Sequence, residues 1–145
     1  SMYPGYEPIE YEIIGGMVIM ELADNHLVPL LRDMPYLIKY ARMENKVAPR
    51  LIITYIMPGS QAQLVQSLAP GFVIKEINGK EVGTMQELRD AVLESLATTF
   101  LTIKTEDEIF SVLPFAKAIK DEQQLSKDFS YPLSPFVRGL LEQVD

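Results

Sequence analysis

Apolar residues fall along the chain in short runs of two different periods, divided by turns that contain Pro and Gly. The clearest succession spans residues 57–92: a Pro-Gly turn, a short helix, a second turn, an apolar strand, an Asn-Gly hairpin and an amphipathic helix. Ser60 precedes Gln63 by three residues, the spacing of a capping box in which each side chain satisfies an orphan backbone N–H, and Leu64 and Leu68 then share a helical face. Ala69-Pro70-Gly71 should stop that helix, because the residue before a proline is pushed out of the helical region. Phe72 to Ile77 is β-branched and aromatic and predicts a buried strand. Asn78-Gly79 suits the positive φ values of a type I′ turn, so that Lys80-Glu81-Val82 pairs back. Thr84 and Glu87 form a second capping box, after which Leu88, Ala91, Val92, Ser95 and Leu96 trace one helical face.

The flanks follow the same logic. Tyr11 to Leu22 is an apolar run broken by Gly15-Gly16, which predicts a strand, a sharp loop and a second strand. Arg50 to Met57 is apolar without interruption and predicts a strand buried on both faces. Phe100–Lys104 and Ile109–Pro114 should pair across the acidic turn Glu106-Asp107-Glu108. Between Asp24 and Ala48, the residues Leu27, Leu30, Leu31, Met34, Leu37, Ile38 and Ala41 recur at helical spacing. Pro35 lies inside that pattern and favours two short helices over one. Beyond Ala116 the pattern weakens: Lys117 to Lys127 is charged, and Ser130-Tyr131-Pro132 reads as extended chain. Ser134-Pro135 then caps a short helix with Phe136 against Leu140 and Val137 against Leu141. That last stripe needs a partner surface, on its own domain or on a neighbour. The expected organisation is an arm over 1–10, a domain over 11–115 with a helical insertion at 24–48, and a C-terminal extension over 116–145.

Composition narrows the function classes. With 145 residues and 48% hydrophobic composition, one domain with its own core is expected. A formal net charge of −7 argues against nucleic acid or an anionic membrane as partner, because both need clustered Lys and Arg. There is no apolar run of membrane-spanning length and no secretory pattern. The chain has no cysteine, which removes disulfides and thiolate metal sites and leaves the compartment open. Ser1-Met2 reads as a cloning remnant before a start codon, so a piece of a longer protein is expected.

The order "PGS-A", leucine, "G-VI--ING--V", "--EL--AV" over residues 58–92 resembles a PDZ domain, specifically the PDZ modules that follow the protease domain of HtrA/Deg (Do-like) serine peptidases. One position departs from that family: it usually carries Gly-Asp before the Val-Ile strand, and here Phe72 follows Gly71. The insertion resembles those of second PDZ modules in some plant-type and parasite Deg proteases, where it favours assembly over peptide capture; a plain structural cover for the sheet is the other reading. The resemblance implies an α+β, mainly β fold: a PDZ-like partly open barrel or sandwich capped by two helices, with the helical insertion and C-terminal extension added. It also implies a regulatory or substrate-recognition role beside a protease domain elsewhere in the protein.

In PDZ domains a loop of form x-Φ-G-Φ receives a ligand's terminal carboxylate and leads into the strand beside which the peptide adds. Ile14-Gly15-Gly16-Met17 resembles that loop, with Val18, Ile19 and Met20 as the accepting strand and Met85 and Arg89, four apart, facing the groove. Glycines let successive N–H groups converge on an anion, and an edge strand offers unpaired backbone groups. The alternative is that Gly15-Gly16 is only a bulge or hairpin in a buried strand. The expected partners are extended or C-terminal hydrophobic peptides of unfolded proteins, the protein's own protease domain, and further copies of the chain. The rival function is an assembly module with a closed groove, its adaptable contacts drawn from Met17, Met20, Met34 and Met43. A free-standing signalling scaffold is a third reading, disfavoured by the element order.

No catalytic residue is expected in this chain. A Ser-His-Asp system needs a base beside the serine, and the single histidine, His26, begins the insertion. No Gly-x-Ser-x-Gly elbow is present. No cofactor or metal is expected either, since a site here would have to be nearly all carboxylate, and Glu106-Asp107-Glu108 lacks the spacing of a calcium loop.

Overall fold

A computed structural model describes residues 10–22 and 49–144. The helical insertion expected at 24–48, His26 within it, and all of the expected arm except Glu10 lie outside the described residues.

Among the described residues, seven strands form one sheet: β1 (Tyr11–Ile14), β2 (Met17–Leu22), β3 (Arg50–Ile56), β4 (Val73–Ile77), β5 (Lys80–Glu81), β6 (Phe100–Thr105) and β7 (Phe110–Pro114). The order is β1-β2-β3-β4-β6-β7, with β5 paired to β4, and every pairing is antiparallel. The result is an α+β fold on an open antiparallel sheet, with β1 and β7 at its two edges. The described helices are α1 (Gln61–Leu64), α2 (Met85–Val92), α3 (Ser95–Thr98), α4 (Phe115–Phe129) and α5 (Pro135–Gln143).

Local chemistry sets most of these boundaries. Asn78 and Gly79 take φ values of 53° and 82° and close the β4–β5 hairpin as a type I′ turn would. The Thr84 hydroxyl accepts from Glu87 N–H while Glu87 reaches back to Thr84 N–H, which completes the expected capping box at α2. Ser60 caps α1 through Gln63 N–H, but the Gln63 side chain turns to Gly59 N–H instead of to Ser60. Helix α1 is shorter than the sequence suggests: Gln66 adopts a left-handed φ of 60°, the helix ends at Leu64, and Leu64 is exposed while Ala62 and Leu68 are buried. The face expected to run from Leu88 to Leu96 is divided between α2 and α3, and α3 is ended by a left-handed Thr99.

One core joins the sheet to the helices. Leu51, Ile53, Ile74, Ile77, Leu101, Ile103 and Leu113 present one face of the sheet to Leu88, Ala91 and Val92 of α2 and to Phe115, Ile119, Val137 and Leu140 of α4 and α5. Each such side chain contributes about 1.5–3 kcal/mol when fully buried. Ile52 and Val73, paired across β3 and β4, point to the opposite face and are buried as well, in keeping with the two-sided burial expected of β3. Ile119, Val137 and Leu140, from the segment beyond Ala116, share the main core, so the terminal stripe packs on its own domain, one of the two alternatives that the sequence left open. Helix α4 was expected as charged, weakly periodic chain. Its stripe of Phe115, Ala118, Ile119, Glu122 and Leu125 is regular, but a buried glutamate sits in the middle of it.

Candidate functional site

The Gly15-Gly16 stretch is a two-residue hairpin turn that pairs Ile14 with Met17. Both glycines have positive φ, 61° and 90°, as a type I′ turn requires. Two backbone hydrogen bonds hold the turn against the sheet and α1: Met57 N–H donates to Gly16 C=O at 2.8 Å, and Ala62 N–H donates to Gly15 C=O at 3.1 Å; the Ser60 side chain also stands so near Gly16 that a Cβ there would collide with it.

The Gly16 amide N–H of the turn is engaged by the carboxyl group of Glu122. Gly16 N–H donates to Glu122 Oε2 at 2.7 Å, and Tyr131 O–H donates to Glu122 Oε1 at 2.6 Å. Glu122 is fully buried. Burial pushes its carboxyl up to about 7, against the pull of the Tyr131 and Gly16 hydrogen bonds, with a further upward push from Asp121. Burial and the neighbouring Glu122 likewise raise the Tyr131 phenol. The turn and the α4–α5 connection are thus bridged by one buried carboxyl group, that of Glu122.

A second buried acidic side chain, that of Glu12, fastens the hairpin through β1. Glu12 of β1, only 1% exposed, accepts from Arg89 Nε at 2.8 Å and from the Ser134 hydroxyl at 2.6 Å. Arg89 also lies 3.5 Å from Glu10. Ser134 is at the same time the cap of α5, accepting from Val137 N–H, so one hydroxyl ties helix start to hairpin. Glu12, Arg89 and Ser134 border a cleft of about 400 Å³ whose other walls include Tyr11, Ile13, Tyr131 and Arg138.

The sequence-derived site residues are therefore only partly together. Gly15 and Gly16 form the turn; Ile14, Met17 and Ile19 lie in the core, and Val18 and Met20 are half-buried. β2 is not an accepting edge: it pairs with β1 on one side and β3 on the other, so its backbone groups are committed to the sheet. Met85 does not face a groove. It is 1% exposed, because helix α2 starting at Thr84 puts positions 85, 88 and 92 on the core face, and its N–H donates to Glu21 Oε1 at 2.7 Å. Arg89 does stand at the cleft, held there by Glu12. The sequence reading does not place Glu12, Glu122, Tyr131 or Ser134 at the site, although Ser134 is the helix cap that its Ser-Pro pair predicts. The available signal was a glutamate at the centre of an apolar helical stripe.

Among the described residues, no cluster of three His, Cys, Asp or Glu could hold a metal ion, and no helix is long and apolar enough to cross a membrane. No protein-family model and no curated protein matches this chain.

Proposed function

We propose that the chain is a non-catalytic PDZ-like module of an HtrA/Deg-type serine protease that serves assembly, with its carboxylate loop closed from within. The observation that carries this reading is the Gly16 amide, which already holds the Glu122 carboxylate in the position where a ligand's terminus would dock. Two further features agree with it. The strand that would accept a peptide is covered by β1. At the far end of the sheet, Phe100, Phe110 and Val112 stand exposed on the outer face of β6 and β7, an apolar surface of the kind that subunit contacts use. Partners on this reading are further copies of the chain and the protease domain.

Capture of an extended hydrophobic or C-terminal peptide is the second reading, favoured by the outer edge of β1, beside which no other described strand pairs. Glu21 N–H donates to Glu10 C=O, so in the alternating antiparallel ladder Tyr11 and Ile13 turn their backbone groups outward, to the cleft. Sedimentation equilibrium over a wide concentration range, with and without apolar peptides bearing free carboxylates, separates the two. Self-association without peptide binding supports the assembly reading. A monomer at every concentration that binds such peptides saturably overturns it.

A further inference from the structure

We infer that the outer edge of β7 is the surface through which this chain associates with itself: two copies lay their β7 strands antiparallel about a two-fold axis at Val112 and continue one sheet into the other. The inference rests on the assembly reading and names the surface that assembly uses.

Backbone direction is the first observation. Thr105 N–H donates to Ile109 C=O at 2.9 Å, and Phe115 N–H donates to Thr99 C=O at 3.0 Å, so these are bonded pairs at the two ends of the β6–β7 ladder. Bonded and non-bonded pairs alternate in an antiparallel ladder, which leaves Ser111 and Leu113 as the residues of β7 bonded to β6. Phe110, Val112 and Pro114 therefore turn their backbone groups away from β6, along an edge beside which no other described strand pairs. Pro114 agrees with this assignment, because a residue without an N–H is tolerated where the ladder does not need one.

The side chains supply the second observation. Ser111 and Leu113 are buried, while Phe110 and Val112 stand exposed on the outer face, next to the exposed Phe100 that lies opposite Pro114. No residue of β7 is charged, so the edge lacks the lysines and inward charges that keep edge strands from pairing.

Register and partner follow from the ends of the strand. β7 has 5 residues with Val112 at its centre; Glu108 before it has a left-handed φ of 66°, and α4 starts directly after it at Phe115. An axis at Val112 is the register that pairs the whole strand with the whole of its copy. Val112 then exchanges both backbone hydrogen bonds with Val112 of the second copy, Phe110 N–H donates to Pro114 C=O, and Phe110 packs beside Pro114 and Phe100 of the other sheet. Charge singles out a second copy as the occupant. In the turn before β7, Glu106 is bridged to Arg50 and Glu108 to Lys75 and Lys104, while Asp107 has no partner among the described residues. Beyond the other end, the exposed Lys117 stands in the first turn of α4, with Asp121 as its neighbour on the helix. Antiparallel pairing sets Asp107 of each copy toward Lys117 of the other, whereas parallel pairing sets like against like.

The test uses the full chain in sedimentation equilibrium, with urea unfolding to confirm that each variant is folded. Val112→Pro removes an outward N–H and no bond to β6, and should weaken dimerisation about tenfold or more. Asp107→Lys and Lys117→Glu should each weaken it about tenfold, and the two together should restore it. Because the chain has no cysteine, Val112→Cys gives a single thiol, and mild oxidation should join it to its copy, since the Cα atoms of a bonded antiparallel pair lie about 5.5 Å apart, within disulfide reach. Gln86→Cys, on exposed α2, should stay monomeric under the same oxidation. A wild type that is monomeric at every concentration overturns the assembly reading and this inference with it. A wild type that associates, with dimerisation unchanged in Val112→Pro or with Val112→Cys no more cross-linked than Gln86→Cys, leaves the assembly reading standing and refutes the β7 edge. If Val112→Pro does not fold, the cross-link and the charge reversals decide: no cross-link at Val112, or no rescue in the double reversal, refutes the pairing.

Discussion

Replacing Gly16 with alanine puts a methyl group where Ser60 already stands. The new Cβ would lie 2.0 Å from Ser60 Cβ and 2.2 Å from Ser60 Oγ, well inside van der Waals contact. Ser60 cannot simply withdraw, because its hydroxyl caps α1 and Met57 N–H holds the neighbouring carbonyl of the turn. Two costs add. A φ of 90° is strained for an L side chain, by about 1–2 kcal/mol, and forcing extra volume into a packed site costs about 1–3 kcal/mol more. The expected loss is about 2–5 kcal/mol, a large share of the roughly 5–15 kcal/mol that holds a domain folded. Gly79→Ala supplies the control: its φ of 82° is similarly unfavourable, yet nothing lies within 4 Å of the added methyl, so only the strain of about 1–2 kcal/mol applies. Urea unfolding of both variants reads the difference as midpoint shifts at constant slope. Combining Gly16→Ala with Ser60→Gly should recover the steric part, since Ser60→Gly alone costs only a few tenths of a kcal/mol as a cap change. Equal midpoints for Gly16→Ala and Gly79→Ala, or no recovery in the double variant, would refute the close packing of turn against α1.

Other perturbations test other parts of the structure. Stability should fall as pH rises: the folded Glu122 carboxyl is raised from 4.5 to about 7, so its contribution is full below the unfolded value and is lost through about pH 7, a change on the order of 3 kcal/mol. Urea midpoints of wild type and Glu122→Gln should accordingly diverge between pH 5 and pH 8, and parallel curves would contradict the buried carboxylate. Leu88→Ala removes a fully buried side chain of α2 and should cost about 2–5 kcal/mol by the same assay, a loss under 1 kcal/mol arguing that the helix is misplaced. Thr84→Ala deletes one half of the capping box and should cost about 0.5–2 kcal/mol; an unchanged melting curve would speak against the cap. Phe110→Glu should leave folding intact while weakening self-association in sedimentation, and an unaltered oligomer would move the contact elsewhere.

What could be read from the sequence was what is decided locally. The Thr84 cap, the Asn78-Gly79 turn and the β-branched run of β3 depend on residues a few positions apart, and each was visible as a spacing. Gly15-Gly16 was equally visible as a place of unusual backbone, but the partner of its amide was not, because Glu122 is 106 residues away. Helix α4 was obscured by that same glutamate, which interrupts the apolar stripe that would otherwise have announced it. Met85 was assigned to a groove by its four-residue spacing from Arg89, whereas its three- and seven-residue spacings to Leu88 and Val92 place it in the core. The position of β2 inside the sheet was out of reach for a different reason: which side of a strand is left free is a property of long-range pairing, and apolar run length does not encode it.

The most direct test of an internally closed carboxylate loop is the Gly16 amide signal in the labelled chain at pH 6 during titration with free-carboxylate apolar peptides to millimolar concentration. The account predicts no saturable shift in the wild type and a saturable shift in Glu122→Ala that the amidated peptides fail to produce. A saturable shift in the wild type as large as in Glu122→Ala would mean that Glu122 does not close the turn.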